Sequence, residues 1–131
     1  MTDTGEQMPS NEAIADAFDD ALTGKGGDAF VAVLAPGAVV WHNHDRQDVD
    51  ARDNMAAVDM LSQIVDELVN ERRLFTPIEG GFVLQYVTRG RVRSTGNSFE
   101  MHNCLVVHTD ADGLVTRIDE YVDPTVGAQL S

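Results

Sequence analysis

The sequence predicts an α+β fold in which helices pack on one face of a curved, mostly antiparallel sheet. Three observations predict it. Apolar residues recur at helical spacing over the first half of the chain, with a short strand-like stretch between. The pattern then changes to alternation. Clusters of Gly, Asn and Asp punctuate the alternating part at hairpin spacing. Helices grouped ahead of a run of strands give the α+β order. A chain of 131 residues is one domain's worth. Residues 1–9 read as a disordered lead and 10–131 as a single domain, without repeat or linker.

Each element has its own signal. Ser10 or Asn11 caps a first helix, and Gly24 ends it. Within it Ile14, Ala17, Phe18, Ala21 and Leu22 form one apolar stripe. Asp28 caps a short second helix that turns Phe30, Val33 and Leu34 inward and stops at Pro36-Gly37. A strand follows over 38–43, then a polar loop over 44–49. Asp50 caps a third helix, with Asp53 in its first turn, where a carboxylate suits the helix dipole. Ala57, Met60, Leu61, Ile64, Val65 and Leu68 are its expected buried face. A weaker strand over 69–76 ends at Pro77. Strands over 82–93, 98–109 and 114–123 follow, joined by turns at 94–97 and 110–113 and stopped at Pro124.

Composition narrows the partners. Nine Lys plus Arg against 22 Asp plus Glu give a net charge of −13. Such a surface repels phosphate backbones and anionic headgroups, so neither nucleic acid nor membrane is an expected partner. The longest wholly apolar run stops at Pro36, too short to span a bilayer. The lone Cys104 leaves no internal disulfide, and the polar, acidic start lacks the pattern of a secretion signal. A cytoplasmic protein is expected.

The element order, with Trp41-His42-Asn43, Asp112-Gly113-Leu114 and the run 119–123 (Asp-Glu-Tyr-Val-Asp), resembles the SnoaL-like branch of the nuclear-transport-factor-2-like superfamily. The resemblance spans the chain from Asn11 to about Pro124. It implies a cone-shaped, cystatin-like α+β barrel with three helices on the concave side of the sheet. It also implies a pocket for an apolar small molecule, and a homodimer through the convex face. Relatives include polyketide cyclases, ketosteroid isomerases, limonene epoxide hydrolases and proteins without catalytic activity, so fold does not choose the reaction.

Strand alternation sorts the candidate site residues. On the first strand Val39, Trp41 and Asn43 share one face; Val40, His42 and His44 share the other. The epoxide hydrolases hold their water with an aromatic and an Asn two apart on this strand. The resemblance therefore implies that Trp41 and Asn43 face the pocket. On the last strand the apolar neighbours Ile118 and Val122 turn Glu120 inward, where the hydrolases carry their acid. Met101 and Asn103 are inward on the preceding strand. Tyr86 and Thr88 are inward on the long strand, whose register a bulge at Gly90 would reverse. The hydrolases' Arg and second carboxylate have no counterpart here, and the isomerases' Asp–Tyr–Asp set is not evident.

A carboxylate among apolar side chains is tuned toward acid–base work. Glu120, Asn43 and Tyr86 are the catalytic candidates. Trp41, Thr88, Met101 and Asn103 are the substrate-binding candidates. The chemistry implied is cofactor-free proton transfer, as in isomerisation, cyclisation or dehydration. Two non-catalytic readings stand beside it: a module that binds a small molecule, and a dimerisation domain whose cavity is filled. His42, His44 and Asp45 offer two imidazoles on one strand face but no third ligand at clear spacing, so no metal site is expected. Arg89, Arg91 and Arg93 read as neutralising nearby acids, and Cys104 as packing.

Overall fold

The computed structural model describes residues 9–130. Residues 1–8 and 131, and with them nearly all of the expected lead, lie outside the described residues. Helix α1, Asn11–Leu22, begins where the Ser10 side chain accepts from the Ala13 amide at 3.0 Å, a side-chain N-cap. Its stripe of Ile14, Ala15, Ala17, Phe18, Ala21 and Leu22 is buried. Helix α2, Asp28–Val31, is a single turn that buries Phe30.

The second helix is shorter than expected, because Leu34 already begins strand β1, Leu34–His42. Pro36-Gly37 sits inside that strand where its pairing slips between Leu34 and Val39, with Gly37 at φ +76°. Proline and glycine here mark an irregular strand rather than a helix end. The loop expected over 44–49 is a turn into a short strand, β2, Gln47–Asp50, paired antiparallel to β1. Asp45 holds that turn by accepting from the Gln47 amide at 3.0 Å.

Helix α3, Ala51–Ile64, starts as expected: Asp50 accepts from the amides of Arg52 and Asp53 at 2.8 and 3.1 Å. Its buried face is corrected. Ala51 and Met55 are buried, with Val58 and Leu61 partly so, while Met60 and Ile64 are exposed. The stripe that counts runs at i, i+4, i+7 and i+10, and Val65 is already in strand β3, Val65–Ile78. Pairing with the next strand overrides the helical continuation through Leu68, and β-branched Val65 suits the change.

Strands β4, Gly81–Val92, β5, Ser98–Thr109, and β6, Val115–Val122, complete a six-stranded sheet in the order β2-β1-β6-β5-β4-β3. Only β1 and β6 pair in parallel. Strand β4 pairs with β5 without interruption from Gly81 to Arg91, so its register does not reverse at Gly90. The irregularity lies on the partner strand, between Asp66 and Val69, where Glu67 adopts φ +58°. Gly90 is needed because a Cβ there would press on Val65 and the Asp66 carbonyl. A last turn, α4, Val126–Gln129, is tied down by its glutamine. The Gln129 side chain accepts from the Glu100 amide and donates to the Glu100 carbonyl, both at 2.9 Å. It thereby occupies the part of β5 that lies beyond the end of the β6 pairing.

The fold class is therefore the expected one: a curved, open sheet with helices on its concave side. Phe18 packs edge-on against Phe30 and Tyr86, with ring centroids 5.4 and 5.7 Å apart. Phe75 lies 5.2 Å from Phe82. The gap left between α1 and the sheet is about 10 Å³, about what one water molecule needs.

Candidate functional site

The sheet register decides which side chains meet. Paired residues point to the same side, and alternation carries that side along each strand. One cross-strand row on the inner face runs His42, Glu120, Leu105, Leu84. The next runs Val122, Asn103, Tyr86, Arg72, and a third joins Met101, Thr88 and Asn70. Glu120, Tyr86, Thr88, Met101 and Asn103 are thus all on the concave side, where alternation puts them.

Two expected site residues are not with them, and the expectation is corrected. Trp41 pairs with Asp119 and packs edge-on against Tyr121, with centroids 5.4 Å apart, on the outer face. Asn43 lies just past β1, and its amide is spent on the backbone of Val122. It is a clamp on β6 rather than a water-holder. The reason is the β1–β6 pairing, which sets His42 opposite Glu120 and so turns Trp41 outward.

His42 takes the inward place. Its Nε2 lies 2.9 Å from Glu120 Oε1, and both side chains keep a little solvent access, 14% and 15%. The hydrogen bond to Glu120 is the main cause that raises the His42 pKa above 6.5; burial opposes it, and the charges of Glu120 and Asp45 add to it. Asn103 Nδ2 donates to the Tyr86 hydroxyl at 2.7 Å and makes a longer contact, 3.4 Å, to Glu120 Oε2. Asn103 Oδ1 is buried without a partner. Burial, with the Glu120 charge second, pushes the Tyr86 phenol well above its ordinary 10.0, so it stays a neutral O–H. Thr88 is fully buried and donates to Asn70 Oδ1 at 2.7 Å. Met101 is buried wall. The result is a carboxylate held by an imidazole on one oxygen, with an amide and a phenol beside the other.

A groove of about 660 Å³ lies along the outward-facing row Leu74, Gln85, Cys104 and Tyr121, and its lining also includes Asn43, Tyr86 and Asn103. Leu74 and Tyr121 are exposed within it. Two arginines of this face are paired within the chain, while Arg73 also lines the groove. Arg89 bridges Glu71 and Glu100, and Arg117 bridges Asp48 and Asp119. Among the described residues no three His, Cys, Asp or Glu side chains gather as a metal-binding group. No described helix is long and apolar enough to cross a membrane.

Solved structures share this fold almost end to end. A candidate SnoaL-like polyketide cyclase of Jannaschia sp. CCS1 superposes with a TM-score of 0.77 at 19% identity, covering 100% of this chain and 98% of its own. This is a nuclear-transport-factor-2-like fold. IdmH, a candidate polyketide cyclase of Streptomyces antibioticus, gives 0.76 at 16% identity over 92% of this chain and 98% of that one. A nuclear-transport-factor-2-like protein of Burkholderia thailandensis gives 0.74 at 19% identity over 95% and 97%. No family model and no curated protein matches the sequence. Identities this low establish the nuclear-transport-factor-2-like fold alone. The fold resemblance read from the sequence is thus confirmed, and its cyclases are among the structural neighbours.

The sequence put His42 on the strand face opposite Trp41 and Asn43, as a hydrogen-bonded strand end or pocket mouth, and gave it no place among the site residues. No local signal could have found it: Ala38, Val40 and His42 form an alternating set as apolar as Val39 and Trp41, so β1 has no face that composition alone makes inner.

Proposed function

We propose that this protein is a cofactor-free enzyme of the SnoaL-like kind, moving a proton on a small, largely apolar molecule with Glu120 as acid or base. One observation carries the reading: a carboxylate on the concave face is held by His42 and Asn103, beside a phenol that keeps its proton. Glu120 takes a proton from the carbon next to a carbonyl. The electron pair moves onto the carbonyl oxygen, and the Tyr86 O–H, which accepts from Asn103 and is free to donate, stabilises the enolate. The enolate then reclaims the proton at another carbon, attacks a second carbonyl whose oxygen takes that proton from Glu120, or expels a β-hydroxyl that leaves as water with that proton. Base catalysis of this kind is worth roughly 10²–10⁴-fold. Thr88 and Met101 belong to the wall of this site, and a reducing, cytoplasmic setting suits the unpaired Cys104.

The test is solvent deuterium uptake into a panel of 1,3-diketones and β,γ-unsaturated cyclic ketones, followed by proton NMR. The wild-type chain is expected to exceed the buffer rate, and Glu120→Gln to lose that excess. Equal rates for the two proteins would sink the assignment.

A different observation favours a second reading, a dimerisation or ligand-holding module of the same fold. The inner space beside α1 is closed to about 10 Å³ by Phe18, Phe30 and Phe82, while the large groove lies along the outward-facing row. A homodimer through the convex face would bury Tyr121 and Leu74. Arg89 and Arg117 neutralise acids on that face, so two copies would meet there without the full repulsion of a −13 chain. Sedimentation equilibrium should give a dimer that Tyr121→Asp splits; a monomeric wild-type chain at tens of micromolar would exclude it.

A further inference from the structure

Glu120 has a partner that the proton-transfer reading leaves without a task. His42 and Glu120 face each other on neighbouring parallel strands, Nε2 to Oε1 at 2.9 Å. The backbone leaves this contact little freedom. The Asn43 amide donates to the Glu120 carbonyl at 3.2 Å, and the Asn43 side chain grips Val122 two residues on. The same pairing that turns Trp41 outward therefore presses the imidazole against the carboxylate.

We propose that His42 is the positioning residue for Glu120. Its Nε2–H holds Oε1, which leaves Oε2, with only the long contact from Asn103, as the oxygen that takes and returns the substrate proton. His42 keeps its own proton throughout, so the step consumes nothing. While His42 is cationic, its Nε2–H makes a charge-assisted hydrogen bond to the Glu120 carboxylate; once His42 is neutral, that hold weakens. The groups acting on the His42 charge are Glu120 from β6 and Asp45 from the following turn, both favouring the cation. His44 lies ring to ring with it at 5.2 Å, and β2 sets uncharged Gln47 opposite. The consequence for turnover rests on the proton-transfer reading of Glu120; the pairing itself is readable without a substrate.

The experiment follows the His42 ring by NMR against pH in the full chain, for wild type, Glu120→Gln and Asp45→Asn. In the wild type His42 should titrate above the ordinary histidine value, about 6.5. Glu120→Gln should bring it down, and Asp45→Asn should bring it down by less, since Glu120 is the main cause of the rise. A His42 titration that Glu120→Gln leaves unmoved overturns the proposal. Deuterium uptake in the ketone panel should then fall on the alkaline side as His42 deprotonates. His42→Gln, which keeps a donor but does not titrate, should fold with an unchanged circular dichroism spectrum and lose that alkaline limb. Retention of the limb in His42→Gln overturns the positioning role. If Glu120→Gln lowers the His42 titration but leaves uptake unchanged, the proton-transfer reading fails, and the pair is structural only.

Discussion

Asn43 holds Val122 by both ends of its amide: Nδ2 donates to the Val122 carbonyl at 3.3 Å, and Oδ1 accepts from the Val122 amide at 3.0 Å. A side chain thereby continues the β1–β6 pairing one step beyond the end of β1. Asn43→Ala should cost about 1–3 kcal/mol, because the partly buried peptide groups of Val122 lose their partner. Asn43→Asp keeps the acceptor and should lose less. Urea unfolding at neutral pH measures both, and a midpoint unchanged in Asn43→Ala would show that water replaces the clamp at no cost.

Stability should depend on pH through His42. Its pKa is raised in the folded chain, chiefly by the hydrogen bond to Glu120. The folded state therefore binds the proton more tightly than the unfolded state does. The stabilisation is fully present below the ordinary value, about 6.5, and is lost as pH rises through the raised folded value. Thermal midpoints should accordingly drop across that window in the wild type. The drop should be smaller in His42→Gln. An equal drop in both proteins would assign the effect to other groups.

Gly81 opens β4 where the sheet leaves no room for a side chain. A Cβ there would run into the Val107 carbonyl, and Val107 belongs to the neighbouring strand, which a flexible side chain's movement cannot relieve. Gly81→Ala should therefore destabilise by several kcal/mol or prevent folding. Gly127→Ala, in the last helical turn with open space around its Cβ position, should change stability by less than about 1 kcal/mol. Comparing soluble yield and denaturant midpoints of the two variants checks the contrast, and similar behaviour would refute it.

Phe18 carries the aromatic packing that fills the concave side, touching Phe30 and Tyr86 edge-on. Phe18→Ala should cost about 3–5 kcal/mol. The space it leaves should be dry and apolar, able to take up xenon or benzene. Crystals of the variant under xenon pressure would show it; an interior collapsed around the missing ring, with no xenon, would contradict this.

Much of the fold was legible because local chemistry and long-range packing agree there. Ser10 and Asp50 cap helices wherever the rest of the chain lies. Strand β4 was harder to place, with Val83 and Val87 on the face away from Tyr86 and Thr88. Only Arg89, Arg91 and Arg93 on that other face argued for turning Tyr86 and Thr88 inward. In β5 the more apolar set carries Met101 and Asn103 inward. Glu120, between Ile118 and Val122, follows the same logic. Where both faces of an element are equally apolar, or where two structures compete for one segment, the sequence was silent. The 65–68 stretch continues a helical stripe, yet pairing with β4 claims it. On β1, nothing local distinguishes Val39 and Trp41 from Ala38 and Val40. Only the parallel pairing with β6, a strand about 80 residues further along, sets His42 against Glu120 and turns Trp41 to the outside. That is a contact between segments far apart in sequence, and no local pattern encodes its register.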